Sequence, residues 1–368
     1  MLFAAVLFAA ALAGFALSAA AQPVSTSWEC PAGLAAAQAG QPLHVLNWAE
    51  YITSDVLAAF EDRCGIAILY EEYGTTDDLL ARVRAAAAGR ADGPPYDVII
   101  GSQLAISALI RDGLLAPLSP AETPNRANLA SDRLGLSFDP GNTYTLPYLV
   151  SYIGIGYNQD RIAEPLDRWS DMFLHEGPVA WVDNPRQMIG AALNLLDLDP
   201  NSTDPRDIRL ARDLLITQGN NVVAIVPVVV QDLLASGEVD IVVEYTGDLY
   251  GMIEACACET FRFFIPAEGS AIEIDSLAIP AQAQHPQAAH AFIDYLLDAQ
   301  VAAALANATG FATPNQAAID GGLIRPDLLA NPGLYPPPGA RLFFITDDAE
   351  ADSAIGRAWE ELKITLGR

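Results

Sequence analysis

Leu43-His44-Val45-Leu46-Asn47-Trp48, a short apolar run ending in an aromatic, reads as a buried strand and opens an alternation of strands with helices. Thr53 or Ser54 then offers an N-cap for a helix through Val56, Leu57 and Phe60 that stops near Gly65. Residues 66–70 read as the next strand, and 77–88 as an amphipathic helix ended by Gly89. Tyr96-Asp97-Val98-Ile99-Ile100-Gly101 gives a third strand, and 105–112 a third helix stopped by Gly113. Strands that alternate with helices through short connections imply an α/β fold, with a mostly parallel sheet covered by helices on both faces.

Downstream, a Pro- and Asn-rich stretch leads to a strand over 149–157 that passes into a second lobe. Val179-Ala180-Trp181-Val182, a helix over 185–196, a polar helix opened by Asp204-Pro205, Ile225-Val226, a helix over 232–236 and a strand over 240–245 build that lobe. A last set runs from Ile274 to Pro280 into a helix over 285–297. Nothing repeats at a fixed period, which excludes solenoids and propellers. The expected division is a signal peptide (1–21), a leader (22–42), lobe 1 (43–147 plus 276–318) and lobe 2 (148–275 plus 319–368). Open parallel sheets bind ligands beyond the carboxyl ends of their strands. Trp48, Glu50, Ser102, Asp183, Asn184, Tyr245 and Asp275 all stand at such ends.

Composition narrows the function. With 46 acidic against 19 basic side chains the net charge is −27, which repels nucleic acid and anionic lipid and steers small cations inward. The same acidity would also keep an abundant exported protein soluble. The first 21 residues carry no charged side chain and end in Ser18-Ala19-Ala20-Ala21, which reads as a signal peptide cut after Ala21. Four cysteines in an exported chain suggest disulfides with three possible connectivities; Cys30 with Cys64 is favoured because both lie in the amino-terminal lobe. Cys256-Ala257-Cys258 lacks metal-ligand spacing and has no histidine nearby, so no metal site is expected. No nucleophile elbow, P-loop, zinc-protease or dinucleotide motif occurs, and the four histidines stand far apart in sequence; neither catalysis nor a cofactor is expected.

Five segments carry a resemblance: Asn47 to Tyr51, Tyr96 to Ser102, Tyr144 to Tyr148, Asp275 to Pro280, and Thr313-Pro314-Asn315. In this order they resemble the periplasmic spermidine/putrescine-binding proteins of polyamine ABC transporters. The resemblance implies the two-lobed periplasmic-binding-protein fold, with crossing hinge strands and a ligand cleft between the lobes. It also implies a monomer that takes a small cationic amine to an inner-membrane ABC transporter permease. Position by position, Trp48, Glu50, Tyr51, Ser102 and Asp275 match ligand contacts, and Tyr245 stands where relatives present a larger aromatic. Asn184 and Gln187 replace carboxylates, and Glu273 replaces an aromatic. One contact near the carboxyl terminus is left unassigned.

A polyamine needs carboxylates for its ammonium groups and aromatic walls for its methylenes. Glu50 and Asp275 retained, with Asn184 and Gln187 neutral, favour a diamine over a triamine; Glu273 would restore a third negative group if it points inward. Plainer roles compete at each position. Trp48 and Tyr245 could be core aromatics, Glu50 could favour the next helix, Asp275 could cap hinge backbone, and Asn184 could cap the helix at Pro185. An amino acid, opine or thiamine-like cation, or service to a membrane sensor, are the alternatives. An anionic ligand would need basic residues at the strand ends, where only Arg186 lies close.

Overall fold

The computed structural model describes residues 24–368 apart from 39, 92, 163, 228, 229 and 347; the expected signal peptide lies outside the described residues. The strands are β1 (Leu43–Trp48), β2 (Ile68–Tyr73), β3 (Val98–Gly101), β4 (Leu115–Ala116), β5 (Thr145–Asn158), β6 (Val179–Val182), β7 (Val222–Val226), β8 (Ile241–Tyr245), β9 (Phe261–Phe264), β10 (Ser270–Pro280) and β11 (Leu342–Phe344). They pair in the order β2-β1-β3-β10-β5-β8-β6-β7, with β4 and β11 beside β10 and β9 beside β5.

Two parallel blocks are visible in that order. β1, β2 and β3 run parallel, as do β6, β7 and β8. The long strands β5 and β10 join them and run antiparallel to each other and to β8 and β3 respectively, while β11 runs parallel to β10. β5 pairs with β10 through its first half and with β8 through Ile153–Tyr157, while β10 meets β3 at Ser276–Ala278 and β11 at Ser270–Ile272. β10 therefore borders the β1–β3 block and β5 the β6–β8 block, and both strands contribute side chains to the cores on either side. Both are buried along nearly their whole length, which fits their largely apolar sequences and sets apart the two carboxylates on β10. Their ladder slips once, between Asp275 and Ser276, opposite Pro147, whose missing N–H cannot complete the pairing.

Each block packs its own core. Phe60, Phe292 and Tyr295 fill the one beneath β1, and Trp169, Trp181 and Trp359 the one around β6. The long helix Ala349–Leu366 closes the second core, held where Trp359 Nε1 and Lys363 Nζ both donate to Asp183. Asp183 is thereby committed to this anchor. Small departures from the sequence expectations have local causes. Ser102 caps a helix that starts at Gln103, and Thr75 caps one that starts at Thr76. The helix Thr246–Cys256 and the strands β9 and β11 were not anticipated.

Cys30 is bonded to Cys64, tying the amino-terminal segment to the end of the helix Ser54–Cys64, and Cys256 to Cys258. The first bridge closes a separation of 34 residues, for which chain entropy gives about 3–4 kcal/mol. Replacing Cys30 and Cys64 together by serine should lower the unfolding free energy by about that amount in urea titrations. A loss below about 1 kcal/mol would show that the bridge contributes little to stability.

Candidate ligand-binding site

Where β1 ends, the Trp48 indole packs 4.3 Å from the Tyr73 ring and 6.2 Å from that of Tyr51. Its Nε1 donates to Asp275 Oδ1 at 2.9 Å. Asp275 occupies the last position of β10 before the ladder slips, and is only 2% exposed. Burial pushes its carboxyl up to about 7, against the hydrogen bonds from Trp48 and Tyr51. Tyr51 is fixed in turn through its carbonyl, which accepts from the Tyr148 hydroxyl at 2.7 Å, and its ring lies 4.4 Å from Phe311.

Two residues earlier on β10, and so on the same face of the strand, stands Glu273. Gln187 Nε2 donates to its Oε2 at 2.6 Å. Glu273 Oε1 and Gln187 Oε1 are buried with no hydrogen-bond partner. Burial, and then the charge of Asp275, raise the Glu273 carboxyl to about 8, while the Gln187 amide opposes the shift. Asn184 takes the capping role considered for it and also bonds a neighbouring ring. Its Oδ1 accepts from the Gln187 N–H at 3.2 Å and caps the helix Pro185–Leu195, while its Nδ2 donates to the Tyr245 hydroxyl at 2.8 Å. Tyr245 ends β8, and burial followed by the charge of Glu273 keeps its phenol un-ionised.

A further carboxylate was missed in the sequence. Asp248 lies in the first turn of the helix Thr246–Cys256. Burial, then the charges of Glu50 and Asp275, lift it to about 7. Its signal was its spacing: it comes three residues after the strand-end Tyr245, in a helix that starts where the strand stops. Phe311, which the sequence reading did not single out, packs beside Tyr51. That region meets the Asp248 helix so closely that a Cβ on Gly247 would come within 2.4 Å of the Phe311 ring.

The structure thus gathers Trp48, Tyr51, Asn184, Gln187, Tyr245, Glu273 and Asp275, and adds Asp248 and Phe311. Glu50 is exposed at the edge, in a left-handed turn with φ 64°, and acts on Asp248 through its charge. Ser102 caps its helix, its hydroxyl accepting from Ala105 N–H at 3.4 Å and lying 3.5 Å from that of Thr76. Arg186 turns to the Thr346 carbonyl and to Asp352, 3.1 Å away. Among the described residues no lysine, arginine or histidine forms an ion pair with Glu50, Asp248, Glu273 or Asp275. Nor, among them, do three or more His, Cys, Asp and Glu side chains converge closely enough to hold a metal ion.

Two parallel blocks threaded by two shared strands, with carboxylates and aromatic rings meeting beyond the strand ends, define a ligand-trapping binding protein. Residues 55–333 match the family of bacterial extracellular solute-binding proteins, and the chain belongs to it. A putrescine/cadaverine-binding protein of Pseudomonas aeruginosa is 33% identical over 350 residues, covering 90% of this chain and 96% of that one. The putrescine-binding periplasmic protein PotF of Escherichia coli is 30% identical, over 87% of this chain and 91% of its own. The crystal structure of a spermidine/putrescine ABC transporter substrate-binding protein, PotD of Streptococcus pneumoniae, superposes with a TM-score of 0.80 at 26% identity, covering 89% of this chain and 99% of that one.

The raised carboxyls tie stability to pH with a definite sign. A group whose pKa is higher folded than unfolded binds more protons in the folded state between the two values, so its stabilisation falls as pH rises. For Asp275 that window runs from the ordinary 3.8 to about 7. Asp275→Asn should therefore gain stability relative to the parent as pH rises from about 5 to about 8, by up to a few kcal/mol, read by thermal unfolding without ligand. A difference independent of pH would contradict this.

Proposed function

We propose that this chain captures a small organic cation with ammonium groups at both ends, a diamine, and delivers it to an ABC transporter permease in the inner membrane. One observation carries the proposal: Glu273 and Asp275 are buried at 6% and 2% exposure, with the half-buried Asp248 beside them, and among the described residues none of the three has a cationic partner. Unpaired buried charge is costly, so the site calls for a ligand that brings the missing positive charge. The Trp48, Tyr51 and Tyr245 rings line the same region and suit the methylene chain of such a ligand and the faces of its ammonium groups. The names of the relatives from Pseudomonas aeruginosa and Escherichia coli point to the same ligand class.

In this reading, export follows cleavage after Ala21, and the protein works in the periplasm as a monomer, without cofactor, and performs no chemistry on its ligand. The lobes are 43–147 with 276–318, and 148–275 with 319–368, closing about β5 and β10. Trp48, Glu50, Tyr51, Ser102, Asn184, Gln187, Tyr245, Glu273 and Asp275 are the proposed contacts, joined by Asp248 and Phe311. Ser102 and Glu50 support the others from helix cap and rim.

Calorimetric titration with 1,4-diaminobutane should show binding that Asp275→Asn weakens by about two orders of magnitude or more. Affinity should rise from about pH 6 to about pH 8, because the cation favours the ionised carboxylates while the amines stay protonated. Binding should release protons, detected as a dependence of the measured heat on buffer. No heat with any amine, together with a clear response to a neutral or anionic solute, would overturn the proposal.

A further inference from the structure

Asp275 and Glu273 are separated by one strand repeat in a regular part of the ladder: Glu273 pairs with Ser151, Ile274 with Val150 and Asp275 with Leu149, all before the slip. Their Cα atoms are therefore about 7 Å apart on one face of β10. Both carboxylates stand on one strand, in its regular ladder with β5, so their spacing does not change when one block moves against the other. Each carboxylate also has its own polar setting. Asp275 lies with Trp48, Tyr51 and Asp248. Glu273 lies with Gln187 and close to Tyr245.

The Glu273 end shows what it lacks. Glu273 is 6% exposed and Gln187 fully buried, yet one oxygen of each has no donor. Their mutual hydrogen bond holds the two acceptors side by side. A primary ammonium brings three N–H donors, enough for both partnerless oxygens with one to spare for a neighbouring acceptor. A neutral amide or acetylated amine brings too few N–H donors and no charge, and would leave Glu273 unpaired.

We infer that β10 acts as a charge ruler, with Glu273 as the residue that requires a second primary ammonium at a fixed distance from the first. This rests on the proposed amine-binding function and deepens it: the ligand is a short, two-headed α,ω-diamine rather than a one-headed amine. Glu273 supplies on the shared strand the counter-charge that the helix Pro185–Leu195 does not, since Asn184 and Gln187 are neutral. Shortening Glu273 by one methylene would move the far counter-charge back and lengthen the preferred diamine.

The test compares 1,4-diaminobutane, 1,5-diaminopentane, 1-aminobutane and mono-N-acetyl-1,4-diaminobutane by calorimetry on the purified full chain. In the parent, the diamine should bind at least about a hundredfold more tightly than either one-headed probe. Glu273→Gln, close in shape and still able to bond Gln187, should reduce diamine affinity by about two orders of magnitude and leave the one-headed probes within about threefold, erasing the preference. Glu273→Asp should retain the two-headed preference and shift it toward 1,5-diaminopentane. Asp275→Asn should weaken all four probes. If the parent binds amines but Glu273→Gln affects one- and two-headed probes equally, or neither, the ruler is refuted while the amine reading stands. If no amine binds the parent, the functional proposal itself fails.

Discussion

Negative charge without a protein counter-ion governs this structure. Asp248 comes from a helix start and Glu273 and Asp275 from one strand, and the fold brings a half-buried carboxylate to two buried ones. Isolated carboxylates in such a place would cost many kcal/mol, and they respond by holding their protons to near-neutral pH. Asp275 receives hydrogen bonds from Trp48 and Tyr51, whereas Glu273 receives that of Gln187 and keeps a buried oxygen without a partner. The site is built to be completed from outside.

The fold supplies the place for that completion. Parallel strands carry their carboxyl ends to one edge, and two such blocks sharing β5 and β10 direct those edges at each other. Trp48 ends β1, Tyr245 ends β8, and Asn184 opens the helix after β6. The shared strand β10 brings its carboxylates between them. The ladder slip beside Asp275 marks where β10 passes from one set of neighbours to the other, a usual position for a residue whose side chain must be re-aimed. Aromatic contacts then fix the walls, with Trp48 against Tyr73 and Tyr51 against Phe311.

Much of this was legible in the residues. Apolar runs ending in Trp48, Gly101 and Tyr245 mark strands whose ends can be named without coordinates, and strand ends are where an α/β protein works. What stayed hidden has a common cause. Asp248 lies within Thr246–Cys256, a helix whose start is uncapped by any side chain and whose glycine and aromatic content obscures its period. Phe311 enters from a turn after Gly310, where no periodicity operates. The direction of Glu273 could not be read from a strand buried on both faces, because alternation is visible only when one face is polar. Glu50 illustrates the reverse case: the motif position was clear, but the left-handed turn that sets it at the rim was not.

The exchange of polar groups between the helix Pro185–Leu195 and β10 has a physical consequence of its own. A carboxylate at position 184 or 187 would sit in the first turn of that helix, where the positive end of the dipole and unpaired N–H groups favour its ionised form. Strands offer no comparable dipole, so Glu273, in the middle of β10, has the Gln187 amide and the Gln103 backbone N–H to stabilise its charge. Its neighbour Asp275 disfavours that charge further. With its carboxylate on the strand, Glu273 can remain largely protonated, which relieves repulsion between it and Asp275. Ionisation is then drawn out by a cation lying across both. The strand position that fixes the distance between the two charges also couples their appearance to the arrival of the ligand.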